Sequence, residues 1–578
     1  MVNCAPDLNR INVFPVADGD TGTNLAITAR CIDAAIAAAD SDHCGKLLAL
    51  VADAALDGAR GNSGAIFAQF LHGLADACGG FAILRPKSFI AALRAAAQYA
   101  TTAVTEPRAG TILTLIDSLA DSAAAAVAAN PRIDFPTLLG NCLAPLERAL
   151  AETEHQLAEL ERAHVVDAGA AGFVAWVRGM EMQMRTGVAL VPPDDAWSPA
   201  ELPAIAAGAG NYRYCTELVL AGAQIDQRAL RERCAALGDS LVVAGSARRL
   251  RLHIHTNDPQ AVFALAAQLG TVTQQKADDM LRQAASTAAR SRIAIVTDSA
   301  ADLDDDTLDA HVIHVIPLRV QFAGRSYLDG VSLGSSELFR LLVANRDRVQ
   351  TSQPPQGDYR RMYEFLRTHH DEVLSLTVTA RVSGTHDAAA AAARRCACDG
   401  INVQDTRNAS LGQGLIARYA AECAARGATM PQLLAQLQHI IARTWTFALP
   451  ATLEYAVRGG RISPVAQTIA DLLRCSPVLR TRSNGKVGVG GLLWGRGRSV
   501  QAFARLVVRQ CRKGQRYRAA VGHGDAAERA AELRAALLAM RPDLDCAPIV
   551  PVGAALGVHG GPGLLVVAIQ ELPRSAPG

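Results

Sequence analysis

The stretch Asn12-Val-Phe-Pro-Val-Ala-Asp18-Gly-Asp20-Thr-Gly-Thr-Asn24 sets two carboxylates one residue apart in a loop of glycine and threonine. Asp18 and Asp20 flank a glycine, so an irregular turn can bring both toward one hard cation. Mg²⁺ takes oxygen ligands and favours one or two carboxylates together with phosphate oxygens. Thr21, Gly22, Thr23 and Asn24 add hydroxyls, an amide and close backbone approach where an Ala/Ile-rich helical run begins, which suits a phosphate. A capped surface turn has the same composition, because Asp, Gly, Thr and Asn all favour turns. The loop alone does not decide between the two.

Three further loops bear on it. Gly58-Ala-Arg60-Gly61-Asn62-Ser63-Gly64 interrupts two apolar helical runs, Ala109-Gly110-Thr111 precedes the run from Ile112, and Val166-Asp167-Ala-Gly169-Ala-Ala-Gly172 precedes Phe173. Four small-residue loops, each opening or joining a helix, could converge at one end of a bundle and surround a triphosphate. Together they resemble the ATP-binding domain of the dihydroxyacetone-kinase type, in the version found in bacterial fatty acid kinases, over roughly residues 11–190. The resemblance implies that Asp18 and Asp20 hold Mg²⁺ as the catalytic pair, with Asn12 contributing. It further implies that Thr21, Asn24, Asn62, Ser63, Gly64 and Thr111 hold ATP phosphates, and that Asp167 closes the nucleotide site.

The elements that must position these loops read as helices. Leu50–Leu56, Phe89–Val104, Leu113–Ala129 and Phe135–Ala151 carry apolar residues at helical spacing, which predicts an all-α barrel or bundle of seven or eight helices over residues 1–190. The related kinases carry a further helix before the metal loop, and only about ten residues precede Asn12 here. The expectation is either a start placed too late or a bundle lacking one helix beside an apolar groove. Ala17 stands where the family usually has proline.

The Pro-, Ala- and Gly-rich residues 191–210 read as a linker. Residues 211–290 then predict a small α/β domain, with strands at Tyr214–Leu220, Ser240–Ala244 and Arg251–His255 and helices at Arg228–Leu237 and Gln260–Leu269. His253 and His255 lie two apart on a strand and share a face. With Cys215 on a neighbouring strand they would make a Zn²⁺ set with one position open, or simply a polar sheet face with a buried cysteine. The middle domain of fatty acid kinases carries similar YCTE and HxH strands, and the resemblance implies a bound metal.

From Arg292 a second large unit begins. Ile293–Ser299, Val312–Val320 and Val373–Val378 read as strands, and Gly357–His369 and Asp387–Arg395 as helices. Thr351-Ser352-Gln353-Pro354, Val382-Ser383-Gly384-Thr385, Gly459-Gly460-Arg461-Ile-Ser463 and Val558-His559-Gly560-Gly561 resemble the DegV family of fatty-acid-binding proteins over residues 291–578. That resemblance implies two α/β subdomains enclosing an acyl chain, with its carboxylate held by Thr351, Ser352, Ser383, Gly384, Arg461 and His559. Thr379-Ala380-Arg381-Val382 departs from the serines and leucine the family has before SGT, a change that bears on pocket width rather than on the clamp.

Composition bounds the rest. The chain has 578 residues, half of them hydrophobic, and a formal net charge of +2, which gives no electrostatic case for nucleic acid. Thirteen cysteines at irregular spacings point to a reducing cytoplasm rather than a disulfide framework, and no run approaches the ~20 apolar residues of a membrane span. Together the two resemblances imply a fused fatty acid kinase and carrier that makes an acyl phosphate from ATP and a bound fatty acid. It is expected to be cytoplasmic and homodimeric, with transient membrane contact for lipid exchange. A kinase of a small hydroxylated substrate such as dihydroxyacetone and a non-catalytic lipid carrier are the alternatives.

Overall fold

The computed structural model describes residues 1–15, 19–187, 212–288, 291–344, 349–396, 398–459, 475–494 and 500–573. Ala17, Asp18, the linker 191–210 and the Gly460–Ser463 segment with Arg461 lie outside the described residues. The chain divides into two compact units, Met1–Ala288 and Ala289–Gly578.

In the first unit, α1 (Ala5–Arg10), α2 (Thr21–Ala37), α3 (Cys44–Gly58), α4 (Gly61–Cys78), α5 (Pro86–Ala103), α6 (Ile112–Ala129), α7 (Phe135–Thr153), α8 (Ala158–Ala163) and α9 (Ala168–Thr186) form the predicted helical domain. Its core is built on α4 and α9, where Phe67, Phe70 and Phe173 are fully buried. The Phe67 and Trp176 rings meet edge-on with centroids 5.0 Å apart, and Phe70 meets Phe173 at 5.5 Å. Such pairs add about 0.5–1.5 kcal/mol beyond area burial. A short helix, α1, precedes the metal loop and sends Leu8 into the core with no exposure. Helix α6 is also long and apolar enough to cross a membrane by length and composition. In this fold Leu115, Ile116 and Leu119 are buried in the helical core.

The middle domain follows as β1 (Tyr214–Ala221), α10 (Gln227–Cys234), β2 (Gly238–Ser246), β3 (Arg249–Thr256), α11 (Pro259–Ala266), β4 (Thr271–Asp279) and α12 (Met280–Ala288). The antiparallel sheet has the order β2-β3-β1-β4. Strand β4 was not anticipated, because Thr-Val-Thr-Gln-Gln-Lys-Ala-Asp-Asp carries no apolar alternation. The sheet docks on the helical domain through polar anchors. Arg251, 1% exposed, donates to the Leu56 and Asp57 carbonyls at 2.8 and 3.0 Å. These carbonyls belong to the last turn of α3, where a helix leaves its C=O groups unpaired and favours a cation. Gly245 N donates to Gln69 Oε1 of α4 at 2.6 Å.

The second unit contains a parallel sheet of β5 (Ile293–Asp298), β6 (Ile313–Ile316), β10 (Glu372–Thr377) and β11 (Ile401–Asp405) in the order β11-β10-β5-β6. A six-stranded sheet is built from β12 (Thr444–Leu449), β13 (Cys475–Thr481), β14 (Val487–Trp494), β15 (Tyr517–Gly524), β16 (Asp545–Pro551) and β17 (Leu564–Glu571), in the order β14-β13-β12-β17-β15-β16. A small antiparallel sheet joins β7 (Arg319–Phe322), β8 (Arg325–Leu328) and β9 (Gln350–Ser352). The single strand expected over Val312–Val320 is therefore two strands in two sheets. Pro317 lies between them, and its missing N–H cannot continue a ladder.

Candidate active site

Four loops of the helical domain are tied to one another. Thr21 Oγ1 donates to Asn12 Oδ1, and Asn24 N closes the first turn of α2 on Asp20 O at 2.9 Å. Asn9 of α1 holds the same helix start through Nδ2 to Thr23 Oγ1 (2.9 Å) and Thr23 N to Oδ1 (3.0 Å). Gly61 opens α4 with φ +61°, and a Cβ there would lie 2.9 Å from Asn24 Nδ2. Gly169 is required by its neighbours: a Cβ would lie 2.5 Å from Ser63 Oγ and 3.3 Å from Asp167 Oδ1. Asp167 caps α9 by accepting from Ala170 N at 2.7 Å and also receives the Ile112 and Gly169 amides, while burial pushes its carboxyl up to about 6. Asp167 thereby fixes the starts of α6 and α9 together. Thr111 is the N-cap residue of α6, with its hydroxyl on Arg108 O at 2.8 Å. Asn62 Oδ1 is shielded from solvent and has no hydrogen-bond partner among the described residues.

The structure thus brings Asp20, Thr21, Asn24, Asn12, Asn62, Ser63, Gly64, Thr111 and Asp167 into linked helix starts, with Asp18 outside the described residues. Asp20 itself faces the middle domain. Burial raises its carboxyl, the Lys276 ammonium and an Asn24 hydrogen bond oppose this, and Asp278 and Glu217 add to it.

On the middle sheet, strand register places two rows of side chains on one face. Cys215 pairs with His255 on β3 and with Asp278 on β4, while Glu217 pairs with His253 and Lys276. Cross-strand partners project to the same side, and residues two apart share it. Cys215, His253 and His255 are buried and bring one ligand atom each within 4.8 Å of one another. Cys215 Sγ lies 3.7 Å from His253 Nδ1, and that nitrogen lies 3.3 Å from Glu217 Oε1. His253 Nε2 is buried with no partner among the described residues. Burial lowers His255 to about 3, leaving a neutral imidazole, and pushes the Cys215 thiol well above its usual range. Glu217 would be raised by burial alone, but Lys276, His253 and Arg251 hold it well below the ordinary carboxylate range. Lys276 pairs with Asp278 at 2.7 Å.

Glu217, Arg251, Lys276, Asp278 and Asn9 were missed in the sequence. Period-two spacing from Cys215 and His253 puts Glu217 and Arg251 on the metal face, a signal that was available. Lys276 and Asp278 lie on the strand the pattern did not reveal.

In the second unit a cavity of about 980 Å³ is lined by Thr351, Ser352, Gln353, Ser383, Gly384 and His559, and otherwise largely by apolar residues of β12–β14 and β17. Thr351 Oγ1 and His559 Nε2 are 3.1 Å apart, and Ser383 Oγ lies 2.8 Å from Thr385 Oγ1. A Cβ on Gly459 would collide with His559 Nδ1, so this glycine is seated against the imidazole. Arg461 lies outside the described residues. Beneath the cavity, Asp302 accepts from Ser410 Oγ (2.5 Å) and Gly553 N (2.7 Å), and Asp329 accepts from Ser299 Oγ (2.7 Å) and Ala554 N (2.5 Å). These two acids fix the start of the helix Ala554–Gly560 that carries His559.

Residues 292–572 match the model of the DegV family. A DegV domain-containing protein of Deinococcus radiodurans is 33% identical over 282 residues, which are 48% of this chain and 99% of that protein. The chain belongs to the DegV family. Protein DegV of Bacillus subtilis is 31% identical over 276 residues, 47% of this chain and 97% of that protein. Protein YloV of the same organism is 30% identical over 295 residues, and this chain spans 52% of its length. Among solved structures, one described as fatty acid binding of a DegV family protein from Thermus thermophilus is 30% identical, with a TM-score of 0.45 over 49% of this chain and all of that one. Ahead of the DegV module, residues 15–182 match the DAK2 domain and residues 211–287 match the FakA-like middle domain of fatty acid kinases. This domain composition is that of a fatty acid kinase fused to a DegV carrier, an ATP-dependent phosphotransferase.

Proposed function

We propose that the chain transfers the γ-phosphoryl group of ATP to the carboxylate of a fatty acid held in the DegV cavity, giving an acyl phosphate and ADP. The observation that carries this reading is the pairing, in one chain, of linked helix starts around Asp20 with a largely apolar cavity whose lining includes Thr351, Ser383 and His559. A carboxylate oxygen forms the new bond to phosphorus and ADP leaves. Carboxylic acids have pKa values of roughly 4, so the acceptor is already ionised at neutral pH and needs no general base. Phosphoryl transfer then asks the protein for positioning and charge neutralisation.

Two residue sets fit the groups such a reaction calls for. Asp20, with Asn12 and Asp18, would hold Mg²⁺, which when bound neutralises the charge of the phosphates. Asn62 Oδ1, buried without a partner among the described residues, supports a ligand there, and Gly61 and Gly169 let the loops close on Asn24 and Ser63. Thr21, Asn24, Ser63, Gly64 and Thr111 would orient the phosphates, and Asp167 keeps two of the loops in register. Cys215, His253 and His255 fit a Zn²⁺ ion, a reading supported by the unpartnered His253 Nε2 and by the carboxylate behind Nδ1, the usual outer partner of a metal-bound imidazole. In the cavity, Thr351, Ser352, Ser383, Gly384, His559 and Arg461 would hold the carboxylate. The whole chain is read as a cytoplasmic dimer that exchanges lipid at membranes.

The test is direct. Purified protein given Mg²⁺, ATP and oleate should form acyl phosphate, trapped as a hydroxamate. The Asp20→Ala variant should lose this product while still binding oleate. Turnover equal to wild type in Asp20→Ala would remove the metal assignment, and no product from the wild type would remove the kinase reading.

A further inference from the structure

The phosphate loops and the metal cluster of the middle sheet meet at one side chain. Glu217 is 1% exposed. Its Oε1 accepts from Gly61 N at 2.5 Å and lies 3.3 Å from His253 Nδ1, and its Oε2 lies 3.4 Å from Arg251 Nη1. Gly61 is the first residue of α4, the helix whose opening residues are Asn62, Ser63 and Gly64, and it abuts Asn24 of the metal loop. His253 belongs to the Cys-His-His cluster. His253 Nδ1 lies between Glu217 Oε1 at 3.3 Å and Cys215 Sγ at 3.7 Å, and with Nδ1 donating to Glu217 the nitrogen left for a metal would be Nε2, which has no partner among the described residues.

We propose that Glu217 is a positioning residue that couples the Cys215–His253–His255 cluster to the nucleotide loops, so that a metal on the middle sheet tightens nucleotide binding. This rests on reading the loops as the ATP site and the cluster as a metal site. The physical path is short. A metal held at the other ring nitrogen would make Nδ1–H a stronger donor and so fix the carboxylate. A fixed carboxylate holds the Gly61 amide, and a pre-ordered loop loses less freedom when nucleotide arrives.

Full-length protein stripped of metal by chelation provides the test. The affinity of a fluorescent ATP analogue with Mg²⁺ is measured with and without added zinc, in wild type and in Glu217→Gln, alongside zinc binding. Zinc should tighten the analogue about fivefold or more in wild type, within the usual span of coupling between sites. In Glu217→Gln, which keeps an oxygen acceptor for Gly61 but loses the charge, zinc should still bind and the analogue affinity should become insensitive to it. An equal zinc effect in both proteins overturns the role of Glu217, as does a zinc-bound wild type whose nucleotide affinity is unchanged. Wild type alone supplies a second measure, since nucleotide must tighten zinc by the same factor that zinc tightens nucleotide. A wild type that binds no nucleotide analogue overturns the kinase reading and this inference with it, and one that binds nucleotide but no zinc overturns the inference while leaving the kinase reading standing.

Discussion

Asp302 of the DegV module offers a quantitative test of how the cavity floor is built. The carboxyl is buried beside Asp298 and Asp329, and burial pushes it up to about 7, with those two acids at about 6. Ser410 and Gly553 donate to it, and among the described residues no cation pairs with it. An acid raised above its unfolded value, near 4, contributes most to the fold at low pH, and that contribution is lost as pH climbs through the folded-state value. For Asp302 the rise is about three units, and at 1.36 kcal/mol per unit the window from about pH 4 to about pH 7 carries about 4 kcal/mol. Asp298 and Asp329 add to the same trend over pH 4–6. The perturbation is Asp302→Asn, which keeps an oxygen for Gly553 N and cannot ionise. Hydrogen exchange of the core strands β5 and β17, followed by mass spectrometry on the full chain between pH 5 and pH 8, reads the opening free energy locally. Wild type should lose protection as pH rises, and the variant should lack the Asp302 share of that loss, about 3 kcal/mol between pH 5 and pH 7. Wild-type stability that rises over this range, or identical slopes in the two proteins, would refute the burial account.

Three further outcomes follow from the sites. Gly169→Val should raise the KM for ATP, because its Cβ would lie 2.5 Å from Ser63 Oγ and such overpacking costs about 1–3 kcal/mol; unchanged nucleotide kinetics would separate Ser63 from the phosphates. Elemental analysis should find about one zinc per chain in wild type and little in Cys215→Ser/His255→Ala, whereas equal and negligible zinc in both would leave the cluster as polar packing. In oleate titrations Arg461→Ala should weaken binding more than Ser383→Ala, since a charged hydrogen bond is worth about 1.5–3 kcal/mol against about 1 for a neutral one; the reverse order would place the head group away from Arg461.

What the sequence determined by itself was local. Glycine, threonine and aspartate at Asn12–Asn24 and Gly58–Gly64 carry their turn and capping preferences wherever they are placed, so the helix starts were legible. The two-residue spacing of His253 and His255 puts both on one face of a strand whatever strand pairs with it. Tertiary structure decided the rest. Strand β4 is polar along its length, so hydrophobic periodicity carried no trace of it. It forms because β1 offers an edge to pair with, and it then carries Lys276 and Asp278 into the site. Val312–Val320 looked continuous because apolar content says nothing about which sheet receives each half. The contact of Glu217 with Gly61 spans 156 positions. Its energy is spent on burying a charged sheet face against a helical domain, and a one-dimensional pattern records neither the burial nor the partner.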